Sequence, residues 1–292
     1  MSKQIKLAQQ HYGLMLFKWW IKLLCLLRPS FALEKIYQSW ISTRRFPPPS
    51  RELHWLQTAR QEHIHVDQRD IAIYRWGKGA KRVLLVHGWN GRGSQLGAFA
   101  IALANKGYEV IAFDAPGHGQ SPGRQTNFYE IVAVLTALHR QYGPFNATIA
   151  HSFGVPCVCY AMNQINPFSA AIVAISPPSS MHHLIHFFTQ HLALSPSITA
   201  KFIAKINQLF PTSLWQDVSA AHQATLLTAP GLIIHDRHDT SVPWQEGEKI
   251  AAHWPKARLW LTEKLGHHRI LREPEVVEGV MRWLGEQTIP PT

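Results

Sequence analysis

Short apolar runs alternate with stretches of helical periodicity over most of this chain. The clearest run, Val83–Val86 (VLLV), has no polar position, as a strand buried on both faces requires. Val110–Phe113, Ala147–Ala150, Ala170–Ile175 and Gly231–Ile234 read the same way, and a last strand falls near Arg258–Leu261. Helices are predicted over Leu96–Asn105 (ended by Gly107), Phe128–Tyr142, Val155–Gln164 and from Pro274 onward. Ahead of this series, Ile64–Val66 and Ile71–Trp76 predict two antiparallel strands before a turn at Gly77–Gly79. Repeated β-α alternation predicts an α/β fold, a parallel sheet covered by helices on both sides.

Two regions depart from that rhythm. Residues 177–229 open on Pro177-Pro178, carry helical stretches rich in His and Phe (HHLIHFFTQHLAL) and contain no clear strand. An insertion there, between the sixth and seventh core strands, is placed to act as a lid. The other region is the start of the chain. Residues 14–27 (LMLFKWWIKLLCLL) are too short to span a bilayer, and Lys18 and Lys22 interrupt them on one helical face. Leu14, Phe17, Ile21, Leu24 and the tryptophans form the remainder, which suits a helix lying in a membrane interface or one docked on the protein behind it. A basic start and the triplet Ser30-Phe31-Ala32 give some character of a processed leader. Against that, the lysines lie inside the apolar stretch, and the same basic, aromatic style continues to residue 60. The proline-marked stretch Arg44–Ser50 (RRFPPPS) reads as a linker. The expected division is therefore an appendage with its linker over 1–50 and a main domain over 51–292, with 177–229 inserted.

Composition sharpens this only in places. The 292 residues are 46% hydrophobic and 16% charged, a globular balance with a sizeable core. Of the net charge of +11, most sits in the first 60 residues, where ten basic side chains face only Glu34 and Glu52. No nucleic-acid reader motif accompanies that charge, so nucleic acid is not the expected partner. Peripheral contact with the inner membrane through residues 14–27 is one reading of the segment, and docking on the domain behind it is the other, favoured one. Cys25, Cys157 and Cys159 lack disulfide or zinc spacing and read as small buried hydrophobes, which fits a cytoplasmic protein.

The candidate chemistry lies at the strand ends. Ala150-His151-Ser152-Phe153-Gly154 follows a strand and opens a helix, with small residues two before and two after the serine, as a nucleophile on a sharp turn needs. The amide of Phe153, at a helix start, and that of Trp89, in Val86-His87-Gly88-Trp89, would supply the two N–H donors of an oxyanion hole. Asp114 and His118, in the glycine-rich turn FDAPGHGQS, read as structural. Two acids, Asp236 and Asp239, follow the strand Leu232–His235, and two histidines, His267 and His268, follow Gly266. His182, His183, His186 and His191 include metal-like helical spacings, but no carboxylate motif joins them, and neither metal nor organic cofactor is expected.

Taken together, VLLVHGW, FDAPGHGQSPG, AHSFG, HDRHDTSVP and LGHHRIL resemble the α/β-hydrolase superfamily over roughly residues 64–285. The resemblance implies an eight-stranded, mostly parallel sheet and a Ser–acid–His chain order. It favours Asp239, three residues before Val-Pro, as the acid, with Asp236 a turn former, and His267, directly after the glycine, as the base, with His268 the alternative. Ser152 would then be the nucleophile of a serine hydrolase acting on a small acyl substrate. An ester of a hydrophobic acid or alcohol leads, given Phe187, Phe188, Phe202 and Phe210 in the insertion; a peptidase, thioesterase or carbon–carbon hydrolase would use the same residues. From a different class, an idle membrane-bound module would keep the fold without turnover.

Overall fold

A computed structural model describes residues 3–287, with the side chains of residues 3–11 and 14 outside the description. The chain opens with helices α1 (Lys3–Leu27), α2 (Pro29–Ile41) and α3 (Ser50–Gln57), then strands β1 (Arg60–Val66), β2 (Arg69–Trp76) and β3 (Arg82–Val86). Next come α4 (Gly97–Asn105), β4 (Glu109–Phe113), α5 (Phe128–Tyr142), β5 (Ala147–His151), α6 (Gly154–Gln164) and β6 (Ile172–Ile175). A helical run follows: α7 (Met181–His191), α8 (Pro196–Leu209), α9 (Leu214–Asp217) and α10 (Ala220–Ala224). The last elements are β7 (Gly231–Asp236), α11 (Gln245–His253), β8 (Ala257–Thr262), α12 (Gly266–Arg269) and α13 (Pro274–Glu286).

The strands form one sheet in the order β1-β2-β4-β3-β5-β6-β7-β8. Strand β2 runs antiparallel to β1 and β4, and β3 to β8 are mutually parallel. This is the eight-stranded, mostly parallel sheet of the α/β-hydrolase fold. Every residue of β4, β5, β6 and β7 is buried, which is why these strands carry no polar alternation. On one face, Leu85, Ile149 and Val173 pack with Phe99 and Leu103 of α4 and Val280 of α13. Glu109 is a buried charge at the start of β4. Burial pushes its pKa up, but Arg75 and Arg82, each with Nε at 3.1 Å, hold it below the ordinary carboxylate value.

Two compact units make up the chain. One joins the N-terminal segment through Ser42 to His182–Leu214, and the other joins Thr43–Met181 to the remainder from Trp215 onward. The sheet lies wholly in the second unit, as does the proline-marked stretch Arg44–Ser50. Of the segment expected as an insertion, the part over 182–214 belongs with the N-terminal helices.

Within the first unit, α1 packs on α2 and α2 on α8. Its centre is aromatic: the Trp40 ring lies 5.0 Å from Phe188 and 5.9 Å from Phe202, which are 5.5 Å from each other. Ala32, Ile36, Phe202 and Ile206 are fully buried there. Phe188 and Phe202 are thus packing residues of this unit, so their aromatic character carries no argument about substrate. Lys205 Nζ reaches Glu34 at 2.9 Å and ties α8 to α2. Ile21 turns inward and is buried, whereas Trp19 and Leu23 of the same helix are exposed; the Leu14 side chain lies outside the described residues.

Truncating Phe202 empties a closed site, so Phe202→Ala is expected to cost about 3–5 kcal/mol. Leu209→Ala, at an exposed position of the same helix, should stay within about 0.5 kcal/mol. Thermal denaturation of the full chain separates the two, and equal shifts would contradict the packing described.

Candidate active site

Ser152 occupies the turn between β5 and α6 with φ at 51°, the left-handed region that a side chain adopts only at a cost. The turn is held by Ser152 N–H donating to the Ile175 carbonyl at 2.9 Å. Its neighbours leave no room for a methyl group. A Cβ on Gly88 would sit 2.7 Å from Ser152 Cβ, and one on Gly154 would sit 2.7 Å from the His87 carbonyl oxygen. The segment after β3 and the turn after β5 therefore meet at van der Waals distance. Trp89 and Phe153 come together in the same place, their rings 5.5 Å apart and edge-on. Phe153 stands at the N-terminus of α6, where the helix dipole favours negative charge.

Asp239 follows β7 and is buried. Its Oδ1 accepts from the amides of Ser241 and Val242 at 2.8 and 2.9 Å, and its Oδ2 accepts from His267 Nδ1 at 2.6 Å. The other ring nitrogen of His267, Nε2, lies 3.1 Å from Ser152 Oγ. Burial pushes the Asp239 pKa up, but His235, His267 and the Val242 amide more than offset it and hold the carboxyl far below the usual range. A carboxylate on Nδ1–H leaves Nε2 as a proton acceptor facing the hydroxyl.

The competing residues lie elsewhere. Asp236 spends its oxygens on the loop: Oδ1 accepts from the Gly266 and His238 amides, both at 2.9 Å. Its Oδ2 accepts from the Leu265 amide at 3.0 Å and Thr262 Oγ1 at 2.9 Å. His268 packs on His267 with ring centroids 5.0 Å apart and lines a small pocket with Arg51, Glu52, Trp55, Gln95, Leu271 and Arg272. Asp114 accepts from the amides of Gly93 and Gln120 and from Tyr74 Oη, each at 2.7 Å, so its work is structural. Among the described residues no group of three His, Cys, Asp or Glu is disposed to hold a metal.

Two histidines that the sequence reading passed over support these groups. His151 Nε2–H donates to the His267 carbonyl at 2.9 Å, and its ring lies 4.6 Å from that of His267. His235 Nε2–H donates to the Val242 carbonyl at 2.9 Å and lies 3.6 Å from Asp239 Oδ2. Each keeps a buried Nδ1 without a partner. The available signals were position: His151 precedes the serine, and His235 stands four residues before the acid.

The family profile of the alpha/beta hydrolase fold matches residues 81–228, and the chain belongs to that family. Protein ABHD8 of Mus musculus is 25% identical over 279 residues, covering 82% of this chain. The chain spans 62% of that relative's length. Among solved structures, the esterase Pf2001 of Pyrococcus furiosus superposes with a TM-score of 0.63 at 19% identity, over 86% of this chain and 98% of that one. A membrane phospholipase A, described as a bacterial virulence factor, gives 0.62 at 15% identity, over 96% and 98%. These structural likenesses show the fold.

Behind the turn, His87 Nε2 accepts from the Ala115 amide at 2.9 Å, and His118 Nε2 accepts from the Asn90 amide at 3.0 Å. Both rings are therefore neutral in the fold. Burial pushes their pKa values down to about 4 and about 3, respectively. In the unfolded chain each titrates near about 6.5. The stability they provide is thus complete above that pH and is lost as pH falls from there toward 4 and 3. Each adds a slope of up to about 1.4 kcal/mol per pH unit. Denaturation free energies measured from pH 7 down to 4 should decline accordingly. His118→Gln should make the decline shallower by about one proton's worth, and an unchanged slope would contradict the assignment.

Proposed function

We propose that this protein is a serine hydrolase that cleaves a carboxylic ester through Ser152, His267 and Asp239. The observation that carries the reading is the unbroken line from Asp239 Oδ2 through the His267 ring to Ser152 Oγ, at 2.6 and 3.1 Å. His267 Nε2 takes the Ser152 proton as Oγ attacks the acyl carbonyl, and Asp239 stabilises the imidazolium that forms. The amides of Trp89 and Phe153 receive the negative oxygen. Collapse of the tetrahedral species transfers the His267 proton to the leaving alcohol and leaves an acyl-serine, which water, deprotonated by His267, then hydrolyses.

A hydrophobic acyl or alkyl group is the expected occupant. Half-exposed Trp89 and Phe153 flank Ser152, and buried Phe128, 6.4 Å from Phe153, backs them and packs on Tyr160 at 5.4 Å, so the surroundings of the serine are aromatic. Ester hydrolysis also suits the esterase and the phospholipase A among the structural neighbours. Thioester, peptide or carbon–carbon substrates would use the same three residues, and a substrate panel decides among them.

Fluorophosphonate labelling and turnover of an acyl-chain ester series test the reading. Ser152→Ala should abolish labelling, and Ser152→Ala and His267→Ala should each lower turnover by about a thousandfold or more. Asp239→Asn should lower it by about 10²- to 10⁴-fold, because the imidazole is left in the wrong tautomer. Labelling that survives Ser152→Ala, or turnover indifferent to His267 and Asp239, would rule out the triad. A wild-type protein that neither labels nor turns over would instead fit a binding module.

A further inference from the structure

Exposed large hydrophobic side chains are concentrated on one helix. Tyr12, Met15, Leu16, Trp19, Trp20, Leu23, Leu26 and Leu27 all belong to α1 and are all exposed, Trp19 at 68% and Leu26 at 82%. At 100° per residue these eight positions fall within an arc of about 140°. The opposite side of the helix is accounted for. Ile21 is buried, Phe17, Leu24 and Cys25 are half-buried, and α1 packs on α2. Over the described side chains, both sides of α1 are therefore apolar, and only one of them is covered.

The charges nearby have one sign. The unit that contains α1 holds eight lysines and arginines against a single carboxylate, Glu34, and Lys205 of the same unit already pairs with it. Lys18 and Lys22 lie together on one shoulder of the exposed arc. Lys22 Nζ is 5.9 Å from the Trp19 ring centroid, and Lys35 Nζ is 5.1 Å from that of exposed Phe31, so cations sit beside the aromatic groups. A broad apolar stripe with paired tryptophans and a cationic margin suits one surface chemistry: hydrocarbon beneath a layer of anionic headgroups. Another protein surface would need matching carboxylates as well as an apolar groove. No described helix is long and apolar enough to cross a membrane.

We infer that α1 lies in the plane of an anionic bilayer surface, with Tyr12, Met15, Leu16, Trp19, Leu23 and Leu26 entering the headgroup–acyl boundary. This is independent of the hydrolase reading, and the two can fail separately. The test is sedimentation or flotation of the full chain with phosphatidylcholine vesicles, with and without about one-third phosphatidylglycerol, at low salt and in about 0.5 M salt. The wild type should bind the anionic vesicles at least about tenfold more tightly than the neutral ones, and salt should weaken that binding. Leu16→Ser combined with Trp19→Ser and Leu23→Ser should weaken it by at least about tenfold, with the circular dichroism spectrum unchanged. Lys18→Gln with Lys22→Gln, an independent variant that keeps the apolar face, should cost about fivefold per lysine. Absent binding, equal binding to neutral vesicles, or binding that survives both variants would overturn the inference. So would light scattering showing a dimer that the triple variant dissolves while vesicles stay unbound, since the face would then belong to a second copy.

Discussion

No methyl group fits on Gly88 or Gly154 where they face Ser152 and His87, and the geometry at this end of the sheet rests on that steric limit. Close approach of the segments after β3 and β5 is what sets the Trp89 ring against that of Phe153 beside the serine. The same closeness demands a left-handed backbone at Ser152, a conformation that costs on the order of 1–3 kcal/mol. The hydrogen bond to Ile175 and the parallel pairing of β5 with β6 offset that cost. Larger side chains at either glycine would separate the two segments before they altered any reacting group.

A second constraint concerns charge. A carboxylate buried beside an imidazole keeps its charge only if its remaining lone pairs are occupied. Asp239 meets this with the amides of Ser241 and Val242 and the His267 imidazole, with the His235 ring beside it at 3.6 Å. Asp236, three residues earlier, uses the same device on the neighbouring loop, and the amides it holds belong to Leu265 and Gly266, immediately before His267. The two aspartates divide the labour: one orients the ring, the other positions the backbone that carries it. His151 adds a third restraint through the His267 carbonyl.

Much of this was legible in the sequence, because burial leaves a pattern. The all-apolar β3 run and the amphipathic α5 fell where periodicity put them, with α5 matching Phe128–Tyr142 to the residue. Helix α3 was not foreseen, since eight residues reading SRELHWLQ give too short a period and follow three prolines. The two sides of α1 were also indistinguishable in sequence, because an apolar residue that packs and one that stays exposed look alike. At the site, Ser152 could be read from its small neighbours, whereas Asp239 and His267 each needed the family phrase to separate them from Asp236 and His268. His235 escaped notice because its contacts with Asp239 and the Val242 carbonyl form only once the loop after β7 turns back on the strand end, and a spacing of four residues does not by itself announce that turn.

The unit built from the N-terminal helices and residues 182–214 is discontinuous along the chain, and that imposes an order of events during synthesis. Trp40 cannot find Phe188 and Phe202 until the whole stretch from α3 to α8 has been made. At about 5–20 residues per second the delay is roughly 10–30 s. For that interval α1 and α2 emerge as amphipathic segments without their packing partner. The non-local closure also raises contact order, so this unit is expected to assemble late and to be the slower of the two to fold.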